Sequence, residues 1–133
     1  MIAVDTSALM AIVLREPERA GFLAALEAAD DLAISAGTLV ETRMVCFSRG
    51  GPVLVAEVDA LIDALGIKVR PPGENELAVA HTGFVQFGKG NGHPAQLNFG
   101  DLFAYALAKS NDAPLLFKGD DFAASDVTSA LQI

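Results

Sequence analysis

The amino-acid sequence predicts an α/β fold in which helices cover both faces of a central, mostly parallel β-sheet. Two observations carry this. Short apolar runs of strand length alternate with longer amphipathic segments of helix length from one end of the chain to the other. No internal repeat or low-complexity linker breaks that alternation, and 133 residues fit one domain spanning 1–133. A chain of this length can bury a core without metal or disulfide staples.

The elements follow in order. "IAV" at 2–4 is a short strand that ends at Asp5, and "TSALMAIVLRE" is a helix. Pro17 fits the first turn of a second helix, 18–29, with Phe22, Leu23 and Leu26 on one face. "DLAIS" is a strand. "AGTLVETRMVCFSR" is a helix closed by Gly50-Gly51, and Pro52 opens another, "VLVAEVDALIDAL", which stops at Gly66. "IKVR" is a strand, punctuated by Pro71-Pro72-Gly73. "ENELAVAHTGFVQF" is a helix and "GKGNGHPAQ" a glycine-rich loop. "NFGDLFAYAL" opens a helix, apolar almost all round, that runs to Ser110. "APLLFKG" is a buried strand, "DDFAASDV" a turn or short helix, and "TSALQI" a short edge strand.

Composition narrows the classes. No span approaches the ~20 apolar residues of a membrane helix, and "MIAVDTSALM" has no basic region or cleavage site of a signal peptide. Cys46 is the only cysteine, so no internal disulfide forms and a reducing, cytoplasmic setting is expected. Flanked by Val45 and Phe47, it reads as a small buried hydrophobe. The net charge of −8 argues against broad, non-specific nucleic-acid binding. It does not argue against a nuclease, because carboxylates that hold a metal ion add to the negative count. Hydrophobic residues make up 52% of the chain, so either the core is large or a partner covers apolar surface.

Acids collect at four places. In an open parallel sheet, ligands gather outside the carboxyl ends of the strands. Asp5 ends the first strand, and Asp120 and Asp121 follow the last. Glu41 and Asp101 lie early in helices whose N-termini face the same edge. Each has a local reading. Asp5 can cap the first helix, and Thr38 with Glu41 forms a T-x-x-E capping box. Asn98 can cap the helix that carries Asp101 in its first turn, and Asp120 and Asp121 can be turn residues. Taken together, the local readings leave a problem. Four acidic points at one edge repel one another unless a cation sits among them.

The simplest cation is Mg²⁺ or Mn²⁺, which take oxygen ligands. His81 lies mid-helix and His93 in the glycine loop, with no cysteine near either, so zinc has no ligand set and both histidines read as structural or exposed. There is no GxxxxGK[ST] loop and no G-x-S-x-G elbow. A divalent ion held by carboxylates points to phosphate chemistry, with one carboxylate orienting or deprotonating a water.

"IAVDTSAL", "ISAGTLVET", "GHPAQLNFGDLFAYALAK" and "PLLFKGDDFAASDV", in this order, resemble a PIN-domain protein, specifically a VapC-type toxin of bacterial toxin–antitoxin pairs. The segment 52–80 carries no motif of the family. The resemblance implies an α/β/α sandwich and a Mg²⁺- or Mn²⁺-dependent endoribonuclease that leaves a 5′-phosphate and a 3′-hydroxyl. It carries the family's acids onto Asp5, Glu41, Asp101 and Asp121. Asp120 is second choice to Asp121, because the pattern is anchored on the Asp-Phe pair. Asp5, Asp101 and Asp121 would hold the metal, with Glu41 joining directly or through water. Thr6 or Ser7 would hold a water or a carboxylate. Two positions depart from the pattern. Asn91 stands where similar toxins often carry a basic residue, and Gln96 stands where glycine is common. Losing a positive charge there weakens RNA affinity or changes the RNA chosen.

Arg43, Lys89 and Lys118 are the basic residues nearest the acidic segments and the candidates for RNA phosphates. Arg15 can instead meet the C-terminus of the first helix. The resemblance also implies a cognate antitoxin that inserts a segment near the acids, and a homodimer. The apolar faces of 17–29 and 52–65 are candidate covers, although burial within a monomer explains them equally well. A competing reading is a non-catalytic PIN module that binds RNA or antitoxin; the intact set of acids argues against it. A phosphotransfer receiver would pair its acids after the first strand, and a haloacid-type phosphatase would carry D-x-D there. Asp5-Thr6-Ser7 does neither.

Overall fold

A computed structural model describes residues 1–131. Four parallel strands, β1 (Ile2–Val4), β2 (Leu32–Ser35), β3 (Lys68–Arg70) and β4 (Leu115–Leu116), form one sheet in the order β3-β2-β1-β4. Five helices connect and cover it: α1 (Thr6–Val13), α2 (Arg19–Ala28), α3 (Ala36–Leu65), α4 (Glu74–Phe87) and α5 (Phe99–Ser110). The register sets Ile2 opposite Leu32, Ala3 opposite Leu115, and Ile34 opposite Val69. The predicted α/β class and parallel sheet are what the chain adopts.

Period-2 alternation splits the core. Val4, Leu32, Ile34 and Leu116 face α1, α2 and α3. Ala3, Ala33 and Leu115 face α5, where Ala104, Leu107 and Ala108 meet them. Small residues on both sides of that second interface let α5 lie close to the sheet. With Ala104–Ala108 all buried, the helix needs no polar face, which accounts for its nearly uniform apolarity. β3 is one of the two edge strands and is blunted by exposed Lys68 and partly exposed Arg70.

Several boundaries differ from the sequence reading. α1 stops at Val13 rather than continuing through Glu16, because Arg15 takes a left-handed conformation (φ 56°) that turns the chain toward α2. Arg15 Nη1 donates to Val13 O at 3.4 Å, at the helix end where it was expected. Pro17 lies in the turn just ahead of α2, not inside it. The two helices expected on either side of Gly50-Gly51 are present and meet without a loop at a kink within α3. Gly51 supplies the break (φ 65°, ψ −160°), and Pro52 restarts the helix where its missing N–H costs little. Arg43 and Asp59 bridge the bend at 3.0 Å. The expected C-terminal edge strand reduces to a single parallel bridge between Ser129 and Leu115; residues 132 and 133 lie outside the described residues.

Of the two readings of the apolar faces of 17–29 and 52–65, burial within the chain accounts for their largest side chains. Phe22 and Leu26 of α2, and Leu54, Val58 and Ile62 of α3, are buried in the chain's own core. Apolar side chains that stay exposed include Val53 in the second of these segments, Val40, Met44 and Phe47 on the first half of α3, and Leu77, Phe84, Val85 and Phe99 on α4 and α5. Among the described residues, no helix is long and apolar enough to cross a membrane.

α4 packs on α5 through a contact that only glycine allows. A Cβ on Gly83 would come within 2.5 Å of the Tyr105 ring, and Tyr105 is fixed by its hydroxyl donating to Asp126 Oδ1 at 2.9 Å. Gly83→Ala is therefore expected to lower stability by about 1–3 kcal/mol. Gly21→Ala, on the exposed face of α2 with open space around it, is expected to raise stability by about 0.5–1 kcal/mol. Urea unfolding of the two variants beside the parent checks both signs.

Candidate active site

In the order β3-β2-β1-β4, the chain leaves β1 toward β2 on one side, while β4 closes on the other. The carboxyl end of β1 is therefore the switch point where a crevice forms. Asp5 follows β1 directly and is only 3% exposed. It caps α1: its Oδ2 accepts from Ser7 N at 3.0 Å and from Ser7 Oγ at 2.6 Å. Ser7 Oγ in turn accepts from Lys118 N at 2.9 Å, tying the segment after β4 to the same carboxylate. Asp5 Oδ1 is buried and has no hydrogen-bond partner. Burial raises the Asp5 pKa to about 6; the nearby Glu41 charge adds to this, and the Ser7 hydrogen bonds oppose it.

Glu41 reaches the site by a route the sequence did not show. β2 runs into α3 without a loop, so Ser35 is the N-cap and the expected Thr38–Glu41 capping box does not form. Glu41 is free of the helix end. Its Oε1 accepts from Thr6 Oγ1 at 2.7 Å. The Thr6 hydroxyl also lies 2.9 Å from Thr42 Oγ1, and Thr42 Oγ1 lies 2.8 Å from Thr38 O. Thr38 and Thr42 are fully buried.

Asp101 behaves as its spacing predicts. Its N–H donates to Asn98 Oδ1 at 2.9 Å, and Asn98 N–H donates to Asp101 Oδ2 at 3.0 Å, a reciprocal capping box at the start of α5. Its pKa also rises to about 6. Burial is the main cause, opposed by the Asn98 N–H and reinforced by the charges of Asp5, Glu41 and Asp121. Asp121, in the exposed turn after β4, thus adds to the field at Asp101. Its exposed neighbour Asp120 accepts the Ala124 N–H through its main chain at 3.1 Å.

Four acids from four segments therefore share one electrostatic neighbourhood at the carboxyl edge of the sheet. Among the described residues, no three Asp, Glu, His or Cys side chains converge tightly enough to form a ready-made ion cage. Local hydrogen bonds account for the spread: one oxygen of Asp101 is turned back onto its own helix cap, and Glu41 leans on Thr6.

The other candidates separate by their partners. Lys118 is held by Glu16 and Glu18, each at 3.2 Å, and Arg43 by Asp59 at 3.0 Å. Among the described residues Lys89 has no ion pair, and it is exposed beside the loop. That loop closes on itself rather than cradling an anion. Asn91 Nδ2 donates to Phe84 O at 2.7 Å at the end of α4, and His93 Nδ1 accepts from Ala95 N at 3.0 Å. Gln96 has φ 54°, a left-handed backbone that explains why glycine suits this position. His81 lies exposed on α4, at the rim of an apolar groove of about 320 Å³ lined by Leu77, Phe84, Phe99 and Phe103.

The PIN domain family model matches residues 2–127. The chain belongs to the PIN-domain family. Within it, the chain falls among the VapC ribonucleases. It is 41% identical over 128 residues to VapC ribonuclease Mb0625 of Mycobacterium bovis, covering 96% of each protein. It is 40% identical over 127 residues to Ribonuclease VapC42 of Mycobacterium tuberculosis, covering 96% of this chain and 97% of that one. The crystal structure of Mycobacterium tuberculosis VapC20, described as a Sarcin-Ricin loop cleaving toxin, superposes with a TM-score of 0.75 at 17% identity, over 96% of this chain and 97% of VapC20. At that identity the match shows the shared PIN fold.

Two participants escaped the sequence reading of this PIN domain, Thr42 and Gly100, whose Cα lies against the Glu41 carboxylate; Thr38 takes part through its carbonyl and not as a cap. The available signal was slight. Two threonines flank Glu41 at helical spacing, and a glycine occupies the first turn of an otherwise well-formed helix.

The two raised pKa values fix a sign. Asp5 and Asp101 bind protons more tightly folded than unfolded, so their contribution to stability is full below about pH 4 and is lost as pH rises through about 6. Metal-free protein is expected to melt at a lower temperature at pH 7.5 than at pH 5. Asp5→Asn should flatten that slope, as read by thermal unfolding in EDTA at both pH values.

Proposed function

We propose that this VapC ribonuclease is a divalent-metal-dependent endoribonuclease that acts as the toxin of a toxin–antitoxin pair, with Asp5, Glu41, Asp101 and Asp121 as its catalytic acids. One observation carries the reading. A buried carboxylate oxygen, Asp5 Oδ1, stands without a partner at the switch point of the sheet while three further acids lie around it. The donors are all oxygens, which fits Mg²⁺ or Mn²⁺ and offers nothing to a thiophilic ion.

Asp5 offers its unpartnered Oδ1 to the ion. The capping box uses only Oδ2 of Asp101, so Oδ1 is the oxygen it presents. Asp121 joins from the turn after β4, with Asp120 as second choice, and Glu41 joins directly or through a water. Bound there, the ion supplies a water of lowered pKa and charge stabilisation for the phosphoryl oxygens. With the ion in place, Glu41, held by Thr6, would be the carboxylate that orients the attacking water and accepts a proton. Ser7 keeps Asp5 aimed, since its hydroxyl is fixed between Asp5 Oδ2 and Lys118 N. Of the basic candidates, Lys89 is the best placed to meet an RNA phosphate, because Arg43 and Lys118 already have acidic partners.

The antitoxin would cover the apolar groove between α4 and α5. Phe99, 79% exposed, lies two residues before Asp101, and Phe103 lies two after it. A partner anchored there reaches the acids with a basic side chain. A second copy of the chain could cover Val40, Met44 and Phe47 in a homodimer. The reading places the protein in the cytoplasm, where RNA and antitoxin are found.

RNA cleavage with Mg²⁺ or Mn²⁺ tests the reading. Asp101→Asn keeps the size and the Asn98 interaction but removes one charge. It is expected to lower the cleavage rate at least about 100-fold, beyond the 10–100-fold typical of a residue that only supports a ligand. Cleavage by the variant at the parental rate removes Asp101 from the metal site. RNA bound by the parent but left intact in every divalent metal makes the protein a binding module instead.

A further inference from the structure

The hydroxyls beneath Glu41 pose a proton-counting problem. Thr6 and Thr42 each carry one hydroxyl proton. Thr6 Oγ1 lies 2.7 Å from Glu41 Oε1, 2.9 Å from Thr42 Oγ1 and 3.4 Å from Thr38 O. The contact with Glu41 is the shortest of these and the only one to a carboxylate, so the Thr6 proton belongs there. The 2.9 Å contact between the two hydroxyls then needs the proton of Thr42. Otherwise two buried oxygens face each other bare, with no water to supply a proton, since Thr42 is fully buried and Thr6 is 7% exposed. Thr42 Oγ1 also donates to Thr38 O at 2.8 Å, four residues back in α3; that carbonyl has a second lone pair beside the one its helical N–H uses, so the Thr42 proton is shared between Thr38 O and Thr6 Oγ1.

The opposite side of Glu41 is just as constrained. A Cβ built on Gly100 would overlap Glu41 Oε2. Gly100 lies in the first turn of α5, next to Asp101. We propose that Thr42 is a positioning residue for Glu41: its hydroxyl donates to Thr6, Thr6 donates to Glu41 Oε1, and the bare Cα of Gly100 leaves the clearance that Oε2 occupies. The carboxylate is clamped between α1 and α5 from a residue that touches neither metal nor substrate. A chain of two donors polarised in one direction also strengthens the last bond. The proposal rests on the ribonuclease reading only for its consequence on cleavage, because the clamp itself is a property of the metal-free chain.

Thr42→Val keeps the shape and removes the first proton of the relay; Thr42→Ser keeps the proton. In metal-free protein at fixed pH, the side-chain carboxyl ¹³C resonance of Glu41, identified by its loss in Glu41→Gln, should move in Thr42→Val and stay in place in Thr42→Ser. RNA cleavage should lose about 10–100-fold in kcat with KM unchanged in Thr42→Val, and recover in Thr42→Ser. In the Glu41→Gln background, Thr42→Val should add no further loss, since it acts through Glu41. Gly100→Ala perturbs the carboxylate from the other side and should move the same resonance, which keeps the test open if Thr42→Val folds poorly. A Glu41 resonance unmoved by Thr42→Val and by Gly100→Ala overturns the clamp. A resonance that moves as expected in a protein that cleaves no RNA upholds the clamp and overturns the ribonuclease reading.

Discussion

A carboxylate buried at the end of the central strand is the constraint around which this molecule is arranged. Asp5 sits between β1 and the start of α1, where water cannot solvate it. Ser7 satisfies one oxygen twice, and the other has no partner. Burial pushes its pKa up to about 6, so the ionised form is held at a cost that a nearby cation would offset. The first turn of α1 helps through its N–H groups, but a helix terminus is worth a fraction of a full charge.

The other acids reach this point because the two faces of the sheet are packed differently. Large aliphatic residues fill the side under α1, α2 and α3, while Ala3 and Ala33 thin the sheet where α5 lies. That thin interface draws the N-terminus of α5, and with it Asp101, toward the carboxyl edge. The β2–α3 junction has no loop, which lifts Glu41 off the helix end and sets it against Thr6. Each acid is held by a local bond to its own segment or its neighbour, so the group stands apart in the bare chain. Repulsion among ionised carboxylates works in the same direction.

The surface carries a second consequence of this packing. The apolar excess visible in composition is not simply a large core. Part of it lines a groove beside the acids, with Phe99 and Phe103 on either side of Asp101 in the same helix. One short segment therefore presents both a carboxylate and exposed apolar surface.

Much of this was written locally. The alternation of apolar runs and helices determined the α/β class, because strands covered on both faces must be apolar throughout. The spacing of Asn98 and Asp101 determined a capping box, since that motif depends only on residues within one turn. The position of Asp5 after "IAV", and the order of the acidic segments, placed four acids at one edge and identified the family. What the tertiary structure decided depended on contacts between distant segments. The helix start at Ser35 displaced the expected Thr38 cap, Phe22, Leu26, Leu54, Val58 and Ile62 turned into the chain's own core, and the ion pairs of Lys118 and Arg43 left Lys89 as the basic candidate without one among the described residues. The aim of Glu41 belongs to the same class. It rests on hydroxyls and a missing Cβ drawn from α1, α3 and α5, and no reading of residues along the chain shows that Thr6, Thr42 and Gly100 meet around one carboxylate, because only packing brings them together.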